Sequence, residues 1–305
     1  MIWLWLAVPL ALAAVYFTHA AFKYTRMISN IFLSLVYRPE FHFSGSAVGE
    51  KITILDSSDR EIETLWMEKK GSRKTVIFCH ESGATKESWE KYAYFLPALG
   101  FSVLSVDFGV PEAAGQNNFS QWPTFEDVDR LLTVIRWAKK AFDPRMELFL
   151  FGISNGADIA FAASFLNPSV KAVVADGLFS MKEIFRDYIR KWAPIVVKPN
   201  LFGQKYPAWV VHVFTELGFW RSQRESKKKF VDVEALLKKN HVPLLMIHGA
   251  QDDYVPATHQ NYLEKIHKRN VLFERFLVPG AGHNEAVTKN GEVYERKITD
   301  FLQKF

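Results

Sequence analysis

The sequence predicts an α/β fold in which a mostly parallel central sheet carries helices on both faces and a helical cap insertion interrupts the repeat. Three observations predict it. Short runs rich in β-branched and aromatic residues alternate with helical patterns from Lys51 to the carboxyl end, the pattern of a parallel sheet covered on two faces. One apolar run, Leu148–Phe151, passes through Gly152-Ile153-Ser154-Asn155-Gly156 directly into a helical pattern. Apolar residues make up 49% of the 305, enough to bury one large core and a smaller addition.

The elements follow in order. Lys51–Leu55 and Ile62–Trp66 read as short strands about a Ser57-Ser58-Asp59 turn, and Lys74–Cys79 as a buried strand. Lys86–Leu99 reads as a helix stopped by Gly100, and Phe101–Asp107 as the next strand. A polar loop with Gly109, Pro111, Gly115, Asn117 and Asn118 follows. Thr124 is placed to cap a helix running to Phe142, with Asp127 in the capping-box position. Then come strand Met146–Gly152, helix Asn155–Leu166 and strand Val170–Ala175. Beyond the insertion the pattern resumes with strand Val242–His248, helix Ala257–Lys268, strand Val271–Leu277 and helix Asn284–Lys304.

The insertion spans 179–240. Met181, Ile184, Phe185, Tyr188, Ile189 and Trp192 recur at helical spacing, opposite a charged face. An aromatic-rich stretch, Pro207–Trp220, and a charged run to Lys229 complete it. The segment holds 13 Lys/Arg against 6 Asp/Glu, an excess of seven positive charges in a chain of net +5, so the remainder carries about two negative charges. It reads as a cap folded over the sheet, with plain packing helices as the alternative.

Residues 1–22 contain no Asp, Glu, Lys or Arg and are long enough, at about 1.5 Å per residue, to span a hydrocarbon core of about 30 Å. They are expected to form a transmembrane anchor, with Trp3, Trp5 and Tyr16 at the interfaces and 23–50 as juxtamembrane linker. A cleaved signal peptide is the competing reading, but it should carry a cation before its apolar run. Lys23, Arg26 and Arg38 all follow that run, which puts the catalytic domain, 51–305, in the cytoplasm. Asn118-Phe119-Ser120 would accept a glycan only in the opposite orientation. A lone cysteine, Cys79, excludes an internal disulfide framework and any multi-thiolate metal site. His80-Glu81 begins a zinc-protease string, but Ala84 ends it. No metal, cofactor or nucleic acid is expected.

The chemistry concentrates in three loops. A serine at the tip of a strand–turn–helix needs small neighbours, because the backbone passes close to itself, and Gly152 and Gly156 supply them. Ser154 is therefore the expected nucleophile. A hydroxyl needs a base, and the base needs a carboxylate to orient it, both from loops after later strands. Gly249-Ala250-Gln251-Asp252-Asp253 and Gly280-Ala281-Gly282-His283 stand in those places. His80 and His248 are expected to brace loops, and His259 and His267 to lie at the surface.

The string His248-Gly249-x-x-Asp252-x-x-Val255-Pro256 resembles the acid loop of the α/β-hydrolase superfamily, and Gly280–His283 resembles its histidine loop. With the serine turn, the resemblance covers residues 51–305. It implies Asp252 as acid and His283 as base, with Asp253 and Asp176 as competing acids. It also implies an oxyanion hole made by the N–H groups of Asn155 and Ser82. The loop His80-Glu81-Ser82-Gly83 departs from the family's common His-Gly-x-Gly: Glu81 is expected to turn its side chain away, toward a Lys or Arg, and Glu81→Gly to be tolerated or helpful. The expected function is a serine hydrolase cleaving carboxylic esters, with a lipid-like or apolar acyl substrate suggested by Phe185, Tyr188, Trp192, Trp209, Phe214 and Trp220. Thioesterase, peptidase or acyltransferase activity on the same residues is the enzymatic alternative. A catalytically inactive binding protein of this fold is the alternative from another class.

Overall fold

The computed structural model describes residues 2–35, 48–109, 122–143, 145–200, 202–267 and 271–305, with side chains from Ala7 onward. Among them the chain forms α1 (Ile2–Ser34), β1 (Glu50–Leu55), β2 (Glu61–Met67), β3 (Lys74–Cys79), α2 (Trp89–Tyr92) and β4 (Ser102–Val106). Then follow α3 (Phe125–Ala141), β5 (Glu147–Ile153), α4 (Asn155–Leu166), β6 (Val170–Asp176), α5 (Met181–Val196) and α6 (Ala208–Ser226). The last elements are α7 (Val233–Leu237), β7 (Leu244–Gly249), α8 (Ala257–Ile266), β8 (Phe273–Val278), α9 (Ala286–Lys289) and α10 (Gly291–Leu302). They fall into two compact units: a helical unit of Met1–Val36 with Met181–Lys228, and a sheet unit of Tyr37–Ser180 with Lys229–Phe305.

The sheet unit has one eight-stranded sheet in the order β1-β2-β4-β3-β5-β6-β7-β8. β2 runs antiparallel to β1 and β4, and every other pair is parallel. Residue alternation divides the core in two. Leu148 and Leu150 of β5 join α3, α4, α7 and α8 on one face. Phe149, Phe151 and Ile153 join α2, α9 and α10 on the other. Because both faces are covered, the central strands are apolar on both sides, which is why they read as continuous runs in the sequence. The fold is that of the α/β hydrolases.

The expected strands appear with bounds shifted by two residues at most. The Thr124 cap forms as expected: its hydroxyl accepts the Asp127 N–H, and the Asp127 carboxylate accepts the Thr124 N–H. Two expected helices are broken. Lys86–Leu99 becomes a 3₁₀ turn, the single turn α2 and a second 3₁₀ turn. Pro97 has no N–H to return to the Ala93 carbonyl, and Leu96 N–H takes that oxygen in the tighter spacing. Asn284–Lys304 divides into α9 and α10 at Asn290, whose φ of −150° and ψ of 59° lie outside the helical region.

The helical unit corrects the reading of the amino terminus. The helix does not stop at Phe22 but continues through Lys23 and Arg26 to Ser34, taking in part of the expected linker. Among the described residues no helix is long and apolar enough to cross a membrane, and the expected transmembrane span is not met. α1 packs instead along α6, where Gly218 brings the backbones close: a Cβ there would lie 3.1 Å from Ile28 Cγ2. Phe32 stacks on Phe185 of α5 with ring centroids 3.9 Å apart, and Ser222 Oγ donates to Ser29 Oγ. α7, inside the expected 179–240 insertion, belongs to the sheet unit. Arg38 and Asn118-Phe119-Ser120 lie outside the described residues.

Candidate active site

Strand order fixes where a site can form. From β3 the chain crosses to β4 on one side, and from β5 it crosses to β6 on the other. Adjacent parallel strands whose connections leave in opposite directions open a crevice at their carboxyl ends. The loop after β3 carries Ser82, the turn after β5 carries Ser154, and β6, β7 and β8 lead into Asp176, Asp252 and His283 at that same edge.

Ser154 occupies the turn between β5 and α4 with φ 51° and ψ −116°, a strained conformation for a residue with a side chain. The two glycines are steric requirements. A Cβ on Gly152 would fall 2.2 Å from the Gly156 carbonyl oxygen, and one on Gly156 would fall 2.3 Å from that of Cys79. Ser154 N–H donates to the Asp176 carbonyl at 2.7 Å, pinning the turn to β6, while its own carbonyl starts α4 by accepting from Ala157 and Asp158. The helix thus begins at the serine, and its amino-terminal dipole favours negative charge there.

Three side chains distant in sequence form one hydrogen-bonded chain. Ser154 Oγ lies 3.0 Å from His283 Nε2, and His283 Nδ1 lies 2.6 Å from Asp252 Oδ2. An Nδ1–H donated to the carboxylate leaves the Nε2 lone pair facing the serine hydroxyl. Asp252 Oδ1 accepts the N–H groups of Tyr254 and Val255 at 2.9 and 2.8 Å, so its loop holds the carboxylate from behind. Burial pushes the Asp252 carboxyl up, but the His283 hydrogen bond and charge, with the Val255 N–H, outweigh it and leave the group below the ordinary carboxylate range. Asp253, the competing acid, is exposed. Asp176 is buried and accepts the Tyr294 hydroxyl at 2.9 Å. Burial raises its carboxyl to about 6, against the opposing effects of that hydroxyl and of His283.

The expected oxyanion donors lie together: Asn155 Nδ2 donates to Ser82 Oγ at 3.0 Å, and both residues are buried. Glu81 does turn aside, but its partners are hydroxyls rather than a cation. Tyr92 Oη donates to it at 3.0 Å and Ser88 Oγ at 3.2 Å. Lys91 in turn donates to Tyr92 Oη at 2.9 Å, one bond further out. Sequence patterning missed this network, because Tyr92 falls in the segment read as one continuous helix.

His80 and His248 hold loops. His80 Nδ1 pairs with the Glu81 carbonyl at 2.8 Å, and its Nε2 accepts the Phe108 N–H at 3.2 Å. His248 Nε2 donates to the Val255 carbonyl at 2.7 Å. His259 and His267, expected at the surface, are both buried. His267 accepts from Asn240 Nδ2 at 3.0 Å and stacks on Phe273, and its burial lowers its basicity. Cys79 is fully buried on β3, which pushes its thiol up. Among the described residues no group of His, Cys, Asp and Glu could hold a metal ion.

The helical unit contains a cavity of about 120 Å³ whose lining has no charged residue. Of the aromatics expected to shape an apolar pocket, Phe185, Tyr188, Trp192 and Phe214 line it, whereas Trp209 and Trp220 are exposed.

No family model matches the chain. Over 230 residues, 75% of its length, it is 20% identical to the uncharacterized protein YfhR of Escherichia coli K12, covering 69% of that protein. It is 23% identical to the uncharacterized YqkD of Bacillus subtilis 168, covering 70% of it. Among solved structures it resembles the esterase Pf2001 of Pyrococcus furiosus, with a TM-score of 0.63 at 19% identity over 89% of this chain and 98% of that one. The α/β hydrolase GrgF of a Penicillium species gives 0.61 at 16% identity over 84% and 98%. Est1E of Butyrivibrio proteoclasticus, with ferulic acid bound, gives 0.57 at 18% over 83% and 99%.

Proposed function

We propose that this chain is a serine hydrolase that cleaves carboxylic esters through an acyl-enzyme. The observation that carries the reading is the hydrogen-bonded chain from Ser154 through His283 to Asp252. His283 Nε2 takes the proton of Ser154 as Oγ attacks the ester carbonyl, and the Asp252 carboxylate stabilises the imidazolium that forms. The Asn155 and Ser82 N–H groups, with the start of α4, receive the developing oxyanion. His283 returns its proton to the leaving alkoxide, then activates a water that attacks the acyl-serine. The esterase Pf2001, of the same fold, supports the ester reading.

The test uses the purified full chain. A fluorophosphonate probe is expected to label the wild type and to leave Ser154→Ala unlabelled. Labelling that persists in Ser154→Ala would dispose of the nucleophile. A p-nitrophenyl ester series of increasing chain length then reads acyl preference, and a wild type that turns over none of the series while binding the esters would favour a binding protein.

A further inference from the structure

The helical unit carries a surface that ester hydrolysis does not use. Of the 23 large apolar side chains exposed among the described residues, 15 belong to this unit. On α1 the exposure is not confined to a stripe. From Ala7 to Val15 every residue is apolar and all but the half-buried Ala13 are exposed, and no Asp, Glu, Lys or Arg occurs before Lys23. A helix that packs against its own protein buries one apolar face and shows water a polar one. A helix apolar on every side and uncovered on every side requires an apolar phase around it.

Cations stand beside the neighbouring exposed rings. The Arg221 guanidinium lies 4.5 Å from the Phe22 ring centroid, Lys191 Nζ 5.4 Å from Trp192, and the Arg224 guanidinium 5.5 Å from Trp220. The unit as a whole holds 12 Lys/Arg against 4 Asp/Glu, an excess of eight positive charges. The chain's net charge is +5, so the sheet unit carries about three negative charges. An aromatic body with a cation at its edge suits the boundary between acyl chains and phosphate headgroups, the ring lying in one and the cation in the other.

We propose that the helical unit docks this protein on an anionic lipid bilayer. The amino-terminal turns of α1 enter the acyl layer, and Trp192 and Trp220 lie with their cations at headgroup level. Charge selects this occupant over a second copy of the chain, which would set two units of eight positive charges against each other.

Co-sedimentation of the full chain with vesicles tests it, using phosphatidylcholine alone and phosphatidylcholine with about one-third phosphatidylglycerol. Binding is expected at least tenfold tighter to the anionic vesicles, and weaker as salt rises. Lys191→Ala and Arg224→Ala should each weaken binding to them by roughly fivefold. Leu12→Glu should weaken binding to both vesicle types. All three variants should melt at the wild-type temperature, so the result does not depend on catalysis. Equal binding to the two vesicle types, or a Leu12→Glu protein that binds as the wild type does, would overturn the proposal. So would a wild type that ignores vesicles and runs as a dimer which Leu12→Glu separates, because the occupant would then be a second copy.

Discussion

Glu81 shows how a carboxylate can sit beside the proposed oxyanion site without opposing it. Its two oxygens are occupied by the Tyr92 and Ser88 hydroxyls, and its side chain is buried. Glu81→Gly would gain backbone freedom but remove the acceptor of two buried hydroxyls, each hydrogen bond worth about 0.5–1.5 kcal/mol. Whatever its effect on activity, Glu81→Gly is expected to melt a few degrees lower, whereas Glu81→Gln, which keeps an acceptor, should recover most of the loss. Thermal melts of the two proteins decide it, and equal melting would show that the hydroxyls find other partners. The residues of the Ser154–His283–Asp252 chain were legible because each follows a strand in a loop whose glycines leave little room for another reading. Gly249, where a Cβ would meet the Gly282 carbonyl oxygen at 2.3 Å, holds the acid and histidine loops against each other. The partners of Glu81 were not legible, since they depend on how a broken helix turns its side chains.

At the scale of elements, the serine turn works only if α4 can approach β3 and β5 closely. Gly156 makes that approach possible, because the atoms a Cβ would meet are the backbone carbonyls of Cys79 and His80, which cannot rotate away as a side chain could. Gly156→Ala is therefore expected to push α4 back and shift both the Ser154 hydroxyl and the Asn155 N–H. A displacement near 1 Å costs on the order of 100-fold in rate, and overpacking costs about 1–3 kcal/mol of stability. Ester turnover together with a melt checks this, and unchanged turnover would mean that the turn is looser than its contacts imply. Strands could be read from sequence because a sheet covered on both faces leaves apolar runs bounded by glycines and polar turns. Helix breaks at Pro97 and Asn290 were harder, because one residue outweighed a periodic pattern on both sides of it. The extent of α1 was hardest: Lys23 and Arg26 mark where apolar composition ends, yet the helix passes through them because α6 offers packing there, a tertiary effect with no local signal.

For the whole molecule, the buried carboxyls of the sheet unit give stability a definite dependence on pH. Asp107 is buried, but the neighbouring His80 and Lys86, the latter with Nζ 3.2 Å from Asp107 Oδ2, outweigh burial and hold it at about 2. Its stabilisation is present above the unfolded value of about 3.9 and is lost as pH falls toward 2. Asp176 works in the opposite direction. Burial lifts its folded-state value to about 6, so its contribution is full below about pH 4, where both states hold the proton, and is lost as pH rises through about 6. Two units of separation correspond to about 3 kcal/mol that the folded chain forgoes near neutrality. Asp176→Asn removes the charge yet keeps an acceptor for the Tyr294 hydroxyl. It is expected to melt several degrees above the wild type at pH 8, with the gap closing toward pH 4. Because Asp252 keeps its place beside His283, ester turnover should survive in Asp176→Asn but fall on the order of 10⁴-fold in Asp252→Asn. A melting difference that does not change with pH would show that Asp176 shares its proton differently, and turnover lost in Asp176→Asn but kept in Asp252→Asn would move the acid from β7 to β6.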